Sequence, residues 1–365
     1  MRDGMLVHQL LPRFDMGDAA SNHALAIRDL VRERGVECRI YAMGRDDFGK
    51  TYGLDQGEYL KHMNNPDDLL IYHYLAYCDN YRLFLGSRNR KVLIYHNITP
   101  AEFYEGFDPS TQEVCRMGRK LLPRLAECDL ALGDSEFNRR ELVEMGFPEE
   151  RTAVLPINPP SRLTEAPVDK QMFRRLRDGR CNLLFVGRVV PNKRLEDLLE
   201  LFSLYHRSVN AYSRLLVVGS LGSPYADYIL ELVERAHLEG RAFFLGKVED
   251  STLKACYLAS HFYLSMSEHE GFCVPLLEAF QFGLPVMACA AGAVPETMGD
   301  AGILFTEKDY PVLAELLETL RRDPLLRERV AAAQRERLEH YGPSVFRQRF
   351  QETIGRFLPP GEEGG

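Results

Sequence analysis

The stretch Ser265–Pro285, SMSEHEGFCVPLLEAFQFGLP, decides how the rest of the chain is read. The apolar run HFYLSMS (261–267) leading into it predicts a buried strand. LLEAFQFG (276–283) then places apolar residues at helical spacing, with Gly283 as the stop. Pro275 suits the first turn of that helix, where its missing N–H leaves nothing unpaired. Strand, tight turn and helix thus follow one another, and unpaired helix N–H groups converge at the turn with the positive end of the dipole. Such a turn is an anion site. Glu270 lies on the turn, and Glu278 about one helical turn further on, leaning back toward the same crevice. Plainer readings compete: Ser267 to Glu270 fits an S-x-x-E capping box, and Glu278 an ordinary acid near a helix start. Gly271 and Pro275 speak against a helix that begins at Glu268.

The whole chain sets the frame. Its 365 residues suit two domains, and 45% hydrophobic with 27% charged residues is a soluble, globular balance. A net charge of −8 argues against a nucleic-acid partner, whose reader is basic. The eight cysteines show no C-x-x-C spacing, which reads as reduced thiols rather than disulfides or zinc ligands. The apolar run in MRDGMLVHQLLPRF is too short for a signal peptide, and no run could span a bilayer. The expected location is cytoplasmic, with any membrane contact peripheral.

Read in order, MLVHQLL (5–11) predicts a first strand, RFDMGDAASN a loop, and HALAIRDLVRERG (23–35) a helix. ECRIYAM, DDLLIYHY, KVLIYHNI and DLALGDS follow as β-rich runs, the last flanked by helical EVCRMGRKLLPRLAE and SEFNRRELVEMG. PINPPSRLTEAPVDKQ (156–171), with four prolines, reads as a linker. Strand and helix then alternate again through NLLFVGR, RLLVVGS, RAFFLGK, HFYLSMS, LPVMACA and GILF. Each half predicts an α/β fold with a parallel sheet covered on both faces. Two Rossmann-like halves predict ligands in a cleft at the strand C-terminal ends. The expected domains are 1–157 and 158–342, followed by the amphipathic tail 343–365.

Three further stretches carry charge. Gly187-Arg188 at the end of a strand, with Lys193 after it, can clamp a diphosphate or can be a solvated loop. Arg194, Asp197, Glu200 and the acids of SEHE read as surface charge. GRDDFGKT (44–51) satisfies G-x4-G-K-[ST], but no apolar helix follows it and two aspartates inside would repel phosphate, so it predicts no phosphate loop. Arg116, Arg119, Lys120 and Arg124 fall on one helical face beside Val114, Met117, Leu121, Leu122 and Leu125. That face is a solvated surface or a dock for anionic lipid.

The segment 265–285 resembles the E-x7-E signature of the retaining glycosyltransferases of family 4, which have the two-domain GT-B fold. FVGRVVPNKRLEDLL (185–199) and AGAVPETMGDAGILF (291–305) extend the likeness over the C-terminal half; in the N-terminal half it is looser. The resemblance implies a sugar moved with retention from a GDP- or UDP-sugar donor to a glycan or lipid-linked acceptor. It suggests bacterial surface-polysaccharide assembly. It implies that Arg188 and Lys193, beside Gly187, bind the donor phosphates, that backbone near Val248 holds the base, and that Glu278 accepts from the ribose. Glu270 with Gly271, Phe272, Cys273 and Val274 would hold the sugar; Cys273 stands where many members carry glycine. His96 matches the strand-end histidine that positions the sugar, although a lone histidine is as readily a packed one. Gly17 stands in the loop that relatives present to the phosphate, and Asp18 beside it would meet an acceptor hydroxyl. The last helix would cross back to the first domain. No metal and no other cofactor is expected, because the cations stand in for Mg²⁺. An epimerase, hydrolase or phosphorylase of the same fold, or a nucleotide-sugar binding protein without turnover, are the alternatives.

Overall fold

In the computed structural model, residues 4–159 and 161–360 are described. The chain forms two compact units. Unit 1 takes the chain up to Ala101, then Ser110–Asn158 and the chain from Tyr341; unit 2 takes Glu102–Pro109 and Pro159–His340.

Unit 1 holds strands β1 (Leu6–Phe14), β2 (Glu37–Arg45), β3 (Leu54–Asp55), β4 (Leu69–Tyr74), β5 (Arg90–Tyr95), β6 (Leu130–Gly133) and β7 (Thr152–Val154). They pair in the order β3-β2-β1-β4-β5-β6-β7, every pairing parallel. β4 is buried along its whole length, which explains a run of apolar residues rather than an alternation. β1 runs on to Phe14, and the helix after it starts at Ala19, so the loop between them is only four residues long. Asp18 caps that helix by accepting from the backbone N–H of Ser21 at 3.0 Å, which moves the helix start four residues ahead of the expected one.

The C-terminal helix Pro343–Glu352 belongs to unit 1. Phe346, Phe350, Ile354 and Leu358 are buried among Val7, Ile27, Ile71, Val92 and Ile94. Fixing those four apolar side chains stabilises unit 1 by roughly 1.5–3 kcal/mol each.

Unit 2 holds β8 (Cys181–Val186), β9 (Ser213–Val218), β10 (Ala242–Gly246), β11 (Phe262–Ser265), β12 (Val286–Cys289) and β13 (Ile303–Phe305). Their order is β10-β9-β8-β11-β12-β13, again parallel throughout. In each sheet the strand order reverses once, beside β1 and β4 in unit 1 and beside β8 and β11 in unit 2. That is where an open α/β sheet leaves a crevice outside its strand C-termini.

Several expectations need correcting. The proline-rich stretch is not a loose linker: it contains a short helix, Ser161–Glu165, and is pinned to the helix Asp250–Ala259. Lys254 donates to the carbonyl of Ala166 at 2.8 Å, and Thr252 to Asp169 at 3.0 Å. The eight residues Glu102–Pro109, read only as part of the first half, are built into unit 2. Phe107 sits edge-on to Tyr225 at 5.1 Å and against Tyr228 at 5.5 Å. The basic stretch changes most. Its helix stops at Leu121 and a 3-10 turn carries Arg124, so the four cations do not share one continuous helical face. Its buried face is Cys115, Gly118 and Leu122, while Val114, Met117 and Leu121 are half-buried. Arg119 is drawn inward to Glu141 and to the carbonyl of Ile98 at 2.6 Å, and Arg116 pairs with Glu113.

The segment Gly44–Thr51 runs into a six-residue helix, Asp47–Tyr52, which is followed by β3 and a 3-10 turn, Gln56–Lys61, rather than by a long α-helix. Asp46 accepts from the N–H of Gly49 at 2.8 Å and of Met16 at 2.9 Å, so the amide a phosphate would need is already taken. Gly49 is a glycine because of packing: a Cβ there would lie 1.9 Å from the carbonyl oxygen of Phe14.

Candidate functional site

In unit 2 the candidate residues leave the two strands that flank the reversal. Gly187, Arg188 and Lys193 follow β8, and Glu268 to Cys273 follow β11. The two loops are tied together. Glu268 N–H donates to the carbonyl of Asn192 at 2.9 Å, and the Asn192 amide donates to the carbonyl of His269 at 2.9 Å. Across the same seam Lys193 Nζ meets Glu270 Oε1 at 2.6 Å, with side chains 17% and 8% exposed. Charge-assisted contacts of this kind are short and about twice as strong as neutral ones. Lys193 lies in a 3-10 turn, and the helix proper begins at Leu195 rather than at Lys193. Arg188 is exposed and makes no ion pair among the described residues.

Glu270 is held from behind by the segment Ala291–Val294. Ala293 N–H donates to the Glu270 carbonyl at 2.9 Å, and a Cβ on Gly292 would lie 2.4 Å from that carbonyl oxygen. Gly292 adopts a left-handed conformation, φ +57°, so glycine is required twice over. Cys273, the residue before the helix Val274–Gln281, is also left-handed, φ 69°, and its buried thiol stands beside Glu270; burial and that carboxylate push the thiol well above its usual range. A glycine would adopt this backbone without strain, which is the physical reason for one at this turn. Glu278, one turn into the helix, accepts from the Tyr257 hydroxyl at 2.8 Å, and burial pushes its carboxyl above the ordinary range. Gly271, Phe272 and Val274 complete the turn. Val248 is half-buried two residues past β10, at the far edge of the sheet from this seam.

Among the neighbouring charges Glu200 and Glu268 are exposed as expected, but Asp197 is not. Asp197 is buried and takes Arg194 at 3.1 Å, Lys308, and the Tyr310 hydroxyl at 3.0 Å. Burial opposes its ionisation, yet the hydrogen bonds from Lys308 and Arg194 prevail and hold its carboxyl low. The expectation of solvated charge fails here because the chain after β13 folds back over the start of the helix Leu195–Leu204.

In unit 1 the strand C-termini gather histidines. His73 is the penultimate residue of β4 and His96 follows β5; His73 pairs in register with Ile94, so both rings lie on one face, stacked at 5.1 Å and 11°. Gln9 of β1 shares that face. Its amide nitrogen donates to the carbonyl of Ala24 at 2.9 Å, leaving Oε1 to face His73 Nε2 at 2.8 Å. Burial holds His73 far below the usual imidazole range, hence neutral, so this network assigns its proton to Nε2. His73 Nδ1 is then an acceptor for His96 Nε2–H at 2.8 Å. His96 Nδ1 in turn faces Asp134 Oδ2 at 2.8 Å. Both ring nitrogens of His96 thereby face side chains of unit 1. Gly17, φ 82°, turns the exposed loop after β1. Asp18 is used as the helix cap, where its carboxylate takes two donors from Ser21.

Gln9, His23, His73, Asp134, Asn192, Tyr257 and Gly292 were not singled out from the sequence. A signal existed for one of them: Ile71-Tyr72-His73 repeats as Ile94-Tyr95-His96, and a repeated triplet on consecutive parallel strands brings its members together.

Residues 169–337 match the family model described as Glycosyl transferases group 1. That segment, a little under half of the chain, is similar to the family. The group 1 segment coincides with most of unit 2 and includes the seam of Arg188, Lys193, Glu270 and Glu278. Among curated relatives, the O-antigen chain mannosyltransferase B of Escherichia coli is 29% identical over 242 residues, 64% of this chain and 62% of that protein. The N-acetyl-alpha-D-glucosaminyl L-malate synthase of Bacillus anthracis is 34% identical over 174 residues, 47% of this chain and 42% of that protein. The chain therefore spans less than two thirds of either relative. HepE of Anabaena, solved with UDP-glucose, shares the fold with a TM-score of 0.76 at 18% identity, covering 96% of this chain and all of the other. WaaG, a glycosyltransferase involved in lipopolysaccharide biosynthesis, does so with a TM-score of 0.72 at 17% identity, over 94% of this chain and 98% of the other. The fold is the two-domain GT-B class, with a Rossmann-like parallel sheet in each unit.

Proposed function

We propose that this protein transfers a sugar from a nucleotide-diphosphate sugar to a glycan or lipid-linked acceptor, with retention of anomeric configuration. The observation that carries the reading is the seam at the strand reversal of unit 2. An unpaired Arg188, the Lys193–Glu270 pair and the start of the helix Val274–Gln281 converge there. Arg188 and Lys193 bind the diphosphate and stabilise the charge that develops on it as the glycosidic bond breaks. Glu270 and the turn Gly271–Val274 hold the sugar, and Glu278 accepts from ribose hydroxyls. The acceptor hydroxyl attacks from the face the nucleotide leaves and gives its proton to the departing phosphate. These cations do the work of Mg²⁺, so added Mg²⁺ or Mn²⁺ should not raise turnover. UDP-glucose bound to HepE and the polysaccharide roles of the mannosyltransferase and WaaG support this choice of substrates.

Calorimetric titration with UDP- and GDP-sugars tests it. Arg188→Ala and Lys193→Ala should each weaken donor binding by roughly one to two decades, the loss of a charge-assisted contact of about 1.5–3 kcal/mol. Folded variants that bind donor as the parent does would refute the clamp. Labelled donor incubated alone separates transfer from the epimerase or hydrolase reading, which releases sugar without any acceptor. Peripheral contact with anionic lipid rests in this reading on exposed Arg116, Lys120 and Arg124 rather than Arg119. Reversing those three to Glu should abolish vesicle binding at low salt.

A further inference from the structure

The histidine cluster of unit 1 has a feature that the donor reading does not use. Gln9 Oε1 faces His73 Nε2 and His73 Nδ1 faces His96 Nε2, each at 2.8 Å, and His96 Nδ1 faces Asp134 Oδ2 at 2.8 Å. A proton or a metal ion can bridge that last contact.

A proton serves that one contact and nothing else. Asp134 Oδ1 and both ring nitrogens of His23 have no hydrogen-bond partner among the described residues, and the two side chains are 2% and 0% exposed. His23 Nδ1 lies 3.6 Å from Asp134 Oδ1, beyond hydrogen-bond reach yet near the separation of two ligands on one tetrahedral ion. One ligand atom from each of His23, His96 and Asp134 can be chosen so that all lie within 4.8 Å of one another.

We propose that His23, His96 and Asp134 bind a first-row divalent cation with the preferences of Zn²⁺. Two imidazoles and one carboxylate are a borderline donor set suited to such ions. His73 and Gln9 form the outer support, since His96 Nε2–H donates to His73 and His73 Nε2–H to Gln9, the arrangement that orients a ligating imidazole. The ion takes up His23 Nδ1 and Asp134 Oδ1 together; the ring of His23 also packs against Phe346, centroid to centroid 5.5 Å. It ties the helix Ala19–Arg32 to the ends of β5 and β6, and it is distinct from the donor phosphates assigned to unit 2. The other histidine group, His8, His62 and Asp68, differs in the decisive respect. His8 bonds Tyr41 and Asp68 at 3.2 Å each, Asp68 also accepts from Leu6 N–H at 2.9 Å, and His62 meets Arg39 at 3.1 Å.

The test uses the full chain dialysed against chelator and titrated with Co²⁺ and, separately, Zn²⁺. One equivalent of Co²⁺ should develop the visible absorption of a low-coordinate site, and one equivalent of Zn²⁺ should raise the unfolding midpoint by several degrees. His23→Gln and Asp134→Asn should remove both responses, whereas His62→Gln should keep them. Absence of either response in the parent protein overturns the proposal, and that result needs no variant to fold. A response lost in His62→Gln but retained in His23→Gln also overturns it, by moving the ion to the other group. ¹⁵N spectra showing a doubly protonated His96 that ignores Zn²⁺ would identify the cation as a proton. None of these readouts involves donor or turnover, so the donor assignment stands or falls separately.

Discussion

The two units place their candidate residues at the same point of the same kind of sheet, but they build those places differently. Unit 2 uses two continuous loops, 187–194 and 266–273, whose own hydrogen bonds and ion pair lock them together. Unit 1 takes single residues from β1, the helix after it, β4, β5 and β6, and joins them by a chain of imidazoles in a buried interior. A charged seam near solvent is suited to catching a multiply charged ligand. A buried network of imidazoles with one carboxylate instead holds one geometry.

The strongest challenge to this contrast is Gly292→Ala. A left-handed alanine costs about 1–3 kcal/mol, and its Cβ would also press on the Glu270 carbonyl. Unfolding by denaturant should show at least that loss, and donor titration should show weakened binding, because the turn carrying Glu270 must shift. A variant with parental stability and affinity would mean that the seam does not depend on its backing segment.

Acid separates the units next. His8 of unit 1 is buried and lowered to about 4, chiefly by burial. The unfolded chain binds a proton there below about 6.5, so the neutral ring's contribution is complete above that pH and disappears as pH falls through about 4. The upper bound is about 3 kcal/mol. Glu318 of unit 2 is lowered to about 2 by hydrogen bonds from Arg321, against burial, with Arg322 and Tyr205 adding to it. Its contribution is complete above about 4.5 and disappears as pH falls through about 2. With Arg322 largely exposed, about 1–2 kcal/mol is the expected size. The chain has no tryptophan, so hydrogen exchange read peptide by peptide is the suitable measurement. Unit 1 should loosen first on acidification from pH 7, and His8→Phe should flatten that slope without altering unit 2 between pH 5 and 3.

A smaller effect probes the two left-handed turns. Cys273→Gly relieves a strain of about 1–2 kcal/mol, less the entropy glycine adds to the unfolded chain, so a gain of no more than about 1 kcal/mol is expected. Asn97, φ 71°, follows His96 in unit 1, but its amide donates to Asn138 at 2.8 Å and Glu141 at 3.1 Å. Asn97→Gly should therefore destabilise by about 1–3 kcal/mol through the acceptors it leaves unmet, the opposite sign from Cys273→Gly in thermal unfolding.

The smallest expected effect is at Lys50. Its motif is contiguous, yet the side chain is exposed and paired only with exposed Asp47. Lys50→Ala should change stability by less than about 0.5 kcal/mol and leave nucleotide affinity as it was. A large loss of affinity would restore the phosphate-loop reading and show that unit 1 holds a second charged site.

What was legible follows the same division. The strand, turn and helix of Ser265–Pro285 lie where they were expected, because Pro275, Gly283 and the apolar spacing act within a few residues of one another. The short strands β3 and β7 were missed because two or three residues at a sheet edge carry too little pattern. Asp197 looked like surface charge because its partners Lys308 and Tyr310 are more than a hundred positions away.

By itself, then, the sequence determined the alternation of strand and helix and the strand, turn and helix of 265–285, since each depends on propensity, spacing or contiguous motif. It did not determine which strand ends become neighbours. The crossovers decide that β1 lies beside β4 and β8 beside β11, which brings Gln9 to His73 and Lys193 to Glu270, while β4 beside β5 brings His73 to His96. The reason is physical. A side chain's protonation, partners and exposure are set by atoms within a few ångströms, and in a parallel sheet those atoms come from distant parts of the chain.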